Sequence, residues 1–201
     1  MEAIQFKLFD IYDVSNIEIK DPALRPYLCL TPRLMVKTQG RRNLEHLGNT
    51  KVNVVERLAN RLQVAGHVGK KHKVITSWAS GKSTKNMQTV LRAFKVIEER
   101  TKKNPVQVFV TAIENGSPRD EVTVIEQAGA KYPQSVDCSP IRRINLALRW
   151  MVQGAYGKSF GKKKKMADTL AEEIIKASEM NAESFAHGKR TEVEKQADSA
   201  R

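Results

Sequence analysis

The chain of 201 residues has few cysteines, few aromatic side chains and no long apolar run. Its two cysteines, Cys29 and Cys138, cannot form a disulfide framework, so we expect two reduced thiols in a reducing compartment. No apolar run approaches the roughly 18 residues of a membrane-spanning helix, which argues against an integral membrane protein. The first residues show no basic segment followed by an apolar core, so we expect no signal peptide.

Acidic residues are missing from three long segments. Residues 22–44, 57–97 and 138–167 hold 5, 9 and 8 lysines and arginines, respectively, and no aspartate or glutamate. Because the whole chain has a formal charge of +13, the remaining residues carry a net charge of −9. An ordinary soluble surface mixes both signs, since like charges repel. Three acid-free segments therefore predict a polyanionic partner, and a nucleic-acid backbone fits that role because binding releases its condensed counterions.

Other interpretations of the basic segments stay open at this point. A solvated basic face without a ligand would have to arise three times in one chain. An anionic membrane surface is a second alternative, but no lysine-rich helix has the Trp/Phe face that interfacial helices use. A sequence-specific DNA-binding regulator is a third, although no short glycine-containing turn joins two helices with basic residues on the second.

No catalytic or metal-binding constellation is visible, so we expect no enzyme, no metal and no cofactor. The segment 81–84 (GKST) resembles the end of a phosphate-binding loop, but Thr76 stands where that motif requires glycine. There is no Cys-x-x-Cys and no His-x-x-x-His pair for a metal ion. The adjacent pairs Glu98-Glu99 and Glu172-Glu173 lie in helical patterns, where neighbouring positions do not converge, so solvated faces are predicted for both.

Apolar periodicity predicts a mainly α-helical chain, with five or six helices in a bundle. The predicted helix starts with capping residues are Ser83 or Thr84, Asn104 followed by Pro105, and Ser139 followed by Pro140. Gln107 stands at a capping-box position, and Thr191 with Glu194 forms a second possible box.

One β-hairpin interrupts the helical pattern. The β-branched residues of 121–127, with Gly129 after them, predict a hairpin at about 121–137. Pro133 lies in its second strand and favours an edge or a bulge, so we expect the inserted hairpin to protrude from the bundle. Residues 1–25 are net acidic without a sustained helical period. We interpret them as an acidic N-terminal extension and residues 26–201 as a single helical RNA-binding domain.

From about residue 86 onward the sequence resembles small-subunit ribosomal protein seven. The segments that carry the resemblance are 104–119 (NPVQVFVTAIENGSPR), 128–133 (AGAKYP), 136–143 (VDCSPIRR), 146–150 (LALRW) and 169–177 (TLAEEIIKA), with Lys189, Arg190, Glu194, Ala197 and Arg201 at the end. The similarity extends over roughly residues 30–201. The acidic segment before residue 26 and the basic insertion near 66–82 differ from the shorter bacterial pattern and resemble the archaeal and eukaryotic branch.

The resemblance implies a structural constituent of the small ribosomal subunit in the cytoplasm. Members of this family bind the 3′ major domain of the small-subunit ribosomal RNA and nucleate assembly of the head, and the same is expected here. The hairpin is then expected near the exit-site tRNA and the mRNA. Neighbouring head and platform proteins, including small-subunit protein eleven, are the implied protein partners; a membrane and a small-molecule substrate are not implied.

The candidate RNA-contacting residues come from the acid-free segments. They are Arg33, Lys37, Arg41, Arg42, Lys70, Lys71, Lys73, Lys82, Lys85, Arg142, Arg143, Arg149, Lys162, Lys163, Lys164 and Lys165. For the side of the hairpin that faces tRNA and mRNA, the candidates are Gln127, Lys131 and Tyr132. Trp78, in a basic loop, either stacks on an unpaired base or belongs to the core, whereas Trp150, beside an apolar stripe, is expected in the core.

Overall fold

Six α-helices and a two-stranded antiparallel hairpin form the regular structure of the residues that this computed structural model describes, namely 7–33, 36–67 and 77–201. The elements are α1 (Val54–Leu62), α2 (Ser83–Thr101), α3 (Pro105–Gly116), β1 (Asp120–Gln127), β2 (Ala130–Asp137), α4 (Pro140–Ser159), α5 (Met166–Ser178) and α6 (Phe185–Ser199). Short 3-10 turns occur at Arg25–Tyr27, Arg41–Leu44, Gly48–Lys51 and Ser77–Ala79. The predicted helical bundle with one inserted hairpin is confirmed.

Helix α5 is the centre of the bundle, because α2, α3 and α4 all pack against it. Its Leu170 and Ile174 are fully buried, and the small Ala171 between them allows the neighbouring helices to approach closely. Phe94 of α2 and Phe109 of α3 meet with ring centroids 5.8 Å apart. These aromatic and aliphatic side chains form one core, which fixes the directions in which the polar faces of α1 and α4 point outward.

The predicted helix starts are partly correct. Asn104 caps α3, since its side chain accepts a hydrogen bond from the Val106 N–H at 3.0 Å. Ser139 is the N-cap residue of α4, although its side chain makes no capping hydrogen bond. The prediction that Ser83 or Thr84 caps α2 is wrong, because the helix already begins at Ser83 and Lys82 is its N-cap residue.

The predicted capping box of Thr191 and Glu194 is also wrong. Both residues lie inside α6, and the Thr191 hydroxyl donates to the His187 carbonyl at 3.0 Å. The cap of α6 is Ser184, whose hydroxyl accepts a hydrogen bond from the His187 N–H at 3.3 Å. The polar closing segment therefore continues a helix that starts earlier than its composition indicates.

Residues 7–33, which include the described part of the acidic extension, pack against the bundle, and we call them the N-terminal segment. Leu8 and Leu24 are fully buried in the same core as the helices. Gln107 of α3 holds the segment through two hydrogen bonds to the backbone of Glu18, one in each direction, at 2.9 and 3.0 Å. Gln107 therefore fixes the N-terminal segment to α3, and its predicted capping-box role is wrong.

A buried carboxylate joins three helices. Glu173 of α5 is fully buried, so the predicted solvated face is wrong at this position. Its carboxylate accepts hydrogen bonds from Lys158 Nζ at 2.6 Å, Ser184 Oγ at 2.8 Å and the Ala186 N–H at 3.1 Å. Because every one of these partners is a donor, the buried charge is compensated and links α4, α5 and the start of α6.

The hairpin matches its predicted position. Its strands pair from Asp120 opposite Asp137 to Gln127 opposite Ala130. The two turn residues, Ala128 and Gly129, both have positive φ, as a two-residue hairpin turn with matching twist requires. The hairpin is largely exposed, and α6 packs against its root.

The C-terminus contributes to that root. The Ser135 N–H donates to the Ala200 carbonyl at 3.4 Å, and Arg201 pairs with Asp120 at 2.7 Å. The end of the chain is therefore bound to both strands of the hairpin.

Candidate nucleic-acid interface

Three arginines lie where α1 meets α4. Arg57 and Arg61 are one turn apart on α1, and Arg149 belongs to α4, which packs against α1. We call these three residues the arginine cluster. A cavity of about 200 Å³ is lined by Asn49, Arg57, Asn60, Arg61 and Asn145. A second cavity, of about 120 Å³, is lined by Arg61, Val64, Ala65, His67, Arg149, Val152 and Gln153.

Arg57 is the buried member of the arginine cluster, with 4% of its surface exposed. Its Nη1 donates to the Tyr27 carbonyl at 3.1 Å and its Nη2 to Asn145 Oδ1 at 3.2 Å. Its buried Nε has no hydrogen-bond partner within the described structure. Burial, and after it the positive charge of Arg61, lowers the pKa of Arg57 to about 10.

The cluster has a surplus of positive charge. Burial and the charge of Arg149 lower the pKa of Arg61. Among the residues that the structure describes, no aspartate or glutamate forms an ion pair with any of the three arginines. Guanidinium groups bind phosphate oxygens through paired N–H donors, and asparagine amides can add further donors. The arrangement is therefore suited to binding an oxyanion.

Most of the predicted RNA-contacting residues that the structure describes are on the surface. The exposed ones are Lys37, Arg41, Lys82, Lys85, Arg142, Arg149, Lys162, Lys163, Lys164 and Lys165, and Arg33 is half-buried. On the hairpin, Lys131 and Tyr132 are exposed. Lys70, Lys71 and Lys73 lie outside the described residues, as do the side chains of Arg42 and Gln127.

Arg143 is not on that surface. Only 7% of it is exposed, and its Nη2 forms a salt bridge with Asp21 Oδ2 at 2.6 Å. Its Nε donates to the Pro118 carbonyl at 3.2 Å, and Ser117 Oγ lies 3.4 Å from its Nη2. The guanidinium is thus used within the protein, where it joins the N-terminal segment to the turn before the hairpin.

The lysine run 162–165 lies between α4 and α5, and all four side chains are exposed. Lys164 Nζ is 3.9 Å from Glu172, at the limit of an ion pair. Lys165 is the N-cap residue of α5 and makes no side-chain capping bond. This loop therefore presents a concentrated positive charge that the protein itself compensates only weakly.

The two tryptophans have different environments. Trp150 is 8% exposed, so its predicted place in the core is confirmed. Trp78 lies in the turn before α2 and is 65% exposed. Lys82 Nζ and Lys85 Nζ lie 4.3 and 3.9 Å from the centroid of the Trp78 ring.

Sequence reasoning omitted Arg57 and Arg61 from the candidate site. The available signal was two arginines at i and i+4 at the start of an acid-free segment, with no acid three or four residues from either to pair with them. Their meeting with Arg149, and the burial of Arg57, come from the packing of α1 on α4, which the sequence pattern does not specify.

The fold and the arginine cluster define a basic helical-bundle protein. The family model described as "Ribosomal protein S7p/S5e" matches residues 33–201. Because that match covers most of the chain, the protein belongs to the S7p/S5e family, and the resemblance noted in its motifs is confirmed.

Archaeal relatives match nearly the whole chain. A protein of Nanoarchaeum equitans (strain Kin4-M), named "Small ribosomal subunit protein uS7", is 45% identical over 198 residues, which is 98% of this chain and 100% of that protein. Proteins of the same name from Archaeoglobus fulgidus and Thermoplasma volcanium are 40% and 41% identical over 194 and 195 residues. These alignments cover 96% of this chain in both cases, and 94% and 100% of the respective relatives.

Proposed function

We propose that this protein is a structural, non-enzymatic constituent of the cytoplasmic small ribosomal subunit and that it binds ribosomal RNA through the arginine cluster. The family and the shared name of the archaeal relatives support the ribosomal role. The observation that carries the RNA-binding part is the buried guanidinium of Arg57. Its Nε has no hydrogen-bond partner among the described residues, and burial together with the charge of Arg61 lowers its pKa.

An RNA phosphate would relieve the main electrostatic cost of this site. A buried charge is strongly unfavourable unless an opposite charge and hydrogen bonds compensate it. The described residues supply no carboxylate to the cluster, and an RNA phosphate would supply the compensating negative charge. RNA suits this role, because its phosphates form a continuous row that can contact exposed lysines such as those of 162–165 as well as the cluster.

The protein's position within the small subunit follows from the RNA domain that it binds. We propose that the RNA is the 3′ major domain, and that binding there nucleates assembly of the head. The protruding hairpin, with Lys131 and Tyr132 exposed and Gln127 at its tip, would face the exit-site tRNA and the mRNA. Small-subunit protein eleven is the proposed neighbour among the head and platform proteins.

The test measures how the affinity for a transcript of the 3′ major domain depends on salt. Each lost phosphate contact flattens the slope of log K against log [salt] by about 0.7 to 0.9. The double variant Arg61→Gln with Arg149→Gln should therefore flatten the slope by about 1.4 to 1.8. Arg57 is left intact because its side chain also holds the Tyr27 carbonyl.

The matched control is Lys103→Gln with Lys195→Gln, two exposed lysines outside the acid-free segments. We expect the control variant to keep the wild-type slope. If the arginine variant and the control variant change the slope equally, the arginine cluster has no specific role in RNA binding. Duplex DNA at the same phosphate concentration should compete poorly with the transcript, and effective competition would favour the DNA-binding alternative.

A further inference from the structure

Trp78 is a large aromatic side chain placed in water at the start of α2. An indole that is 65% exposed forgoes most of the stabilisation that burial would give it. Trp150 shows that the bundle can enclose such a ring. The ring of Trp78 is therefore accessible to a binding partner.

Two lysines at the start of α2, its N-cap residue Lys82 and Lys85 in its first turn, gather at this ring. Lys82 and Lys85 lie four and seven residues after Trp78, and both ammonium groups are within 4.3 Å of the ring centroid. The ring attracts cations through its negatively polarised face, which offsets part of the repulsion between the two lysines. The result is an exposed aromatic ring with two ammonium groups over it.

The start of α2 adds to this positive field. The helix has 19 residues, no side-chain cap and no acidic residue in its first turn. Its free N–H groups and the positive end of its dipole therefore lie close to the two lysines. Aromatic ring, ammonium groups and helix terminus together provide a stacking surface and a place for a phosphate.

We infer that Trp78, Lys82 and Lys85 bind one unpaired nucleotide of an RNA chain. The base takes the place of the ammonium groups over the exposed indole, and the two flexible lysine side chains turn to the adjoining phosphates. A paired base cannot do this, because its neighbours in the helix cover both of its faces. The inference rests on the proposed RNA-binding function and adds the kind of RNA segment that this part of the surface selects.

The first measurement uses the fluorescence of Trp78 in the full-length chain. The variant Trp150→Phe leaves Trp78 as the remaining tryptophan. We expect saturable quenching by a single-stranded 12-mer of uridylate or adenylate, and little quenching by an RNA duplex at the same phosphate concentration. If Trp150→Phe does not fold, the difference between wild type and Trp78→Phe isolates the same signal.

The second measurement is the affinity for the same single strand, from the anisotropy of a labelled 12-mer. Stacking on one aromatic ring contributes about 1–3 kcal/mol, so Trp78→Ala should weaken binding roughly 5- to 150-fold. Trp78→Leu keeps apolar bulk without a ring and should bind as weakly as Trp78→Ala, whereas Trp78→Phe should keep part of the affinity. Lys85→Gln should flatten the salt slope by about 0.7. Lys95→Gln, at another exposed position of α2, is its matched control and should not.

The outcomes separate this inference from the proposed function. The stacking site alone would be overturned if the transcript of the 3′ major domain binds with a steep salt dependence while RNA neither quenches Trp78 nor binds Trp78→Ala more weakly than wild type. Equal quenching by duplex and single strand would also overturn it. If the protein binds neither the transcript of the 3′ major domain nor the single-stranded 12-mer, both proposals are overturned.

Discussion

Arg142 and Arg143 are adjacent in α4 but have opposite environments. One residue of an α-helix turns the side chain by about 100°, so Arg142 is half exposed beside Glu121 while Arg143 points into the protein and meets Asp21. Both residues belong to an acid-free segment, and charge counting treats them alike. Only the partner from the distant N-terminal segment distinguishes the structural arginine from the surface one.

Replacement of these two arginines should therefore have different effects. Arg143→Ala leaves Asp21 and the Pro118 carbonyl without their donor, and we expect the free energy of unfolding to fall by about 3 kcal/mol. Arg142→Ala breaks a solvent-exposed pair and should change it by less than about 1 kcal/mol. Urea unfolding followed by circular dichroism measures both. Equal losses for the two variants would show that Arg143 does not form the buried pair.

Asp21 should make the stability depend on pH. Partial burial acts to raise its pKa, but hydrogen bonds from Arg143 and the Ala23 N–H, with the charges of Arg143 and Arg119, lower the pKa below its ordinary value. The unfolded carboxyl therefore binds protons more readily than the folded one. Its contribution is complete above the ordinary aspartate pKa of about 3.9, and it is lost as the pH falls through the lower pKa of the folded protein.

The comparison of wild type with Asp21→Asn tests this direction. The difference between their free energies of unfolding should stay constant from about pH 5 to pH 7, because the Asp21 carboxyl is ionised there in both the folded and the unfolded wild-type protein. It should shrink as the pH is lowered below about 4. A difference that grows on acidification would contradict a lowered pKa.

At the scale of elements, α4 and α6 approach each other closely at Gly154. A Cβ at this position would lie 2.6 Å from the Cβ of Phe185 and 3.1 Å from the carboxyl carbon of Glu173. A glycine in a helix is otherwise unfavourable, so its place here depends on the neighbouring helix. Gly157, three residues further along α4, has open space around it.

Alanine at the two glycines should change stability in opposite directions. Gly154→Ala forces α4 and α6 apart and should lower the free energy of unfolding by about 1–3 kcal/mol. Gly157→Ala improves helix propensity without a clash and should raise it by about 0.5–1 kcal/mol. Thermal unfolding of the two variants shows the sign directly, and a stabilised Gly154→Ala would contradict the close packing.

Helices and strands were predictable from the sequence where residues close together in the chain determine them, and contacts between distant residues were not. Apolar stripes and the β-branched run of the hairpin are local, and they indicated the helices and the hairpin correctly. The buried state of Glu173 was not predictable, because its partners Lys158 and Ser184 come from other helices. The role of Gln107 was not predictable either, because its side chain binds the distant Glu18 backbone instead of capping α3.

At the scale of the whole molecule, the N-terminal segment belongs to the core, although its composition differs from the rest. Fully buried Leu8 and Leu24 tie it to the helices, as do the bonds of Gln107 and Arg143. The candidate site shows a similar limit to prediction. The sequence indicated basic surfaces and named Arg149, but the arginine cluster depends on the packing of α1 against α4.

Deletion of residues 1–25 should therefore damage the entire fold. Each buried leucine contributes about 2–5 kcal/mol, and domains are stable by only about 5–15 kcal/mol. We expect the shortened chain to lose cooperative thermal unfolding and to bind a hydrophobic dye. In the full chain, Leu24→Ala should cost about 2–5 kcal/mol, whereas the half-exposed Ile11→Ala should change stability by about 0.5 kcal/mol or less. A deletion variant that unfolds like wild type would contradict this integration.

The salt bridge of Asp21 with Arg143 joins positions that are separated by 122 residues. Synthesis proceeds from the N-terminus at about 5–20 residues per second, so the carboxylate waits roughly 6 to 24 s for its guanidinium partner. During that interval Leu8 and Leu24 have no completed bundle to enter. The nascent chain thus exposes its earliest apolar segment at least until α4 has been synthesised.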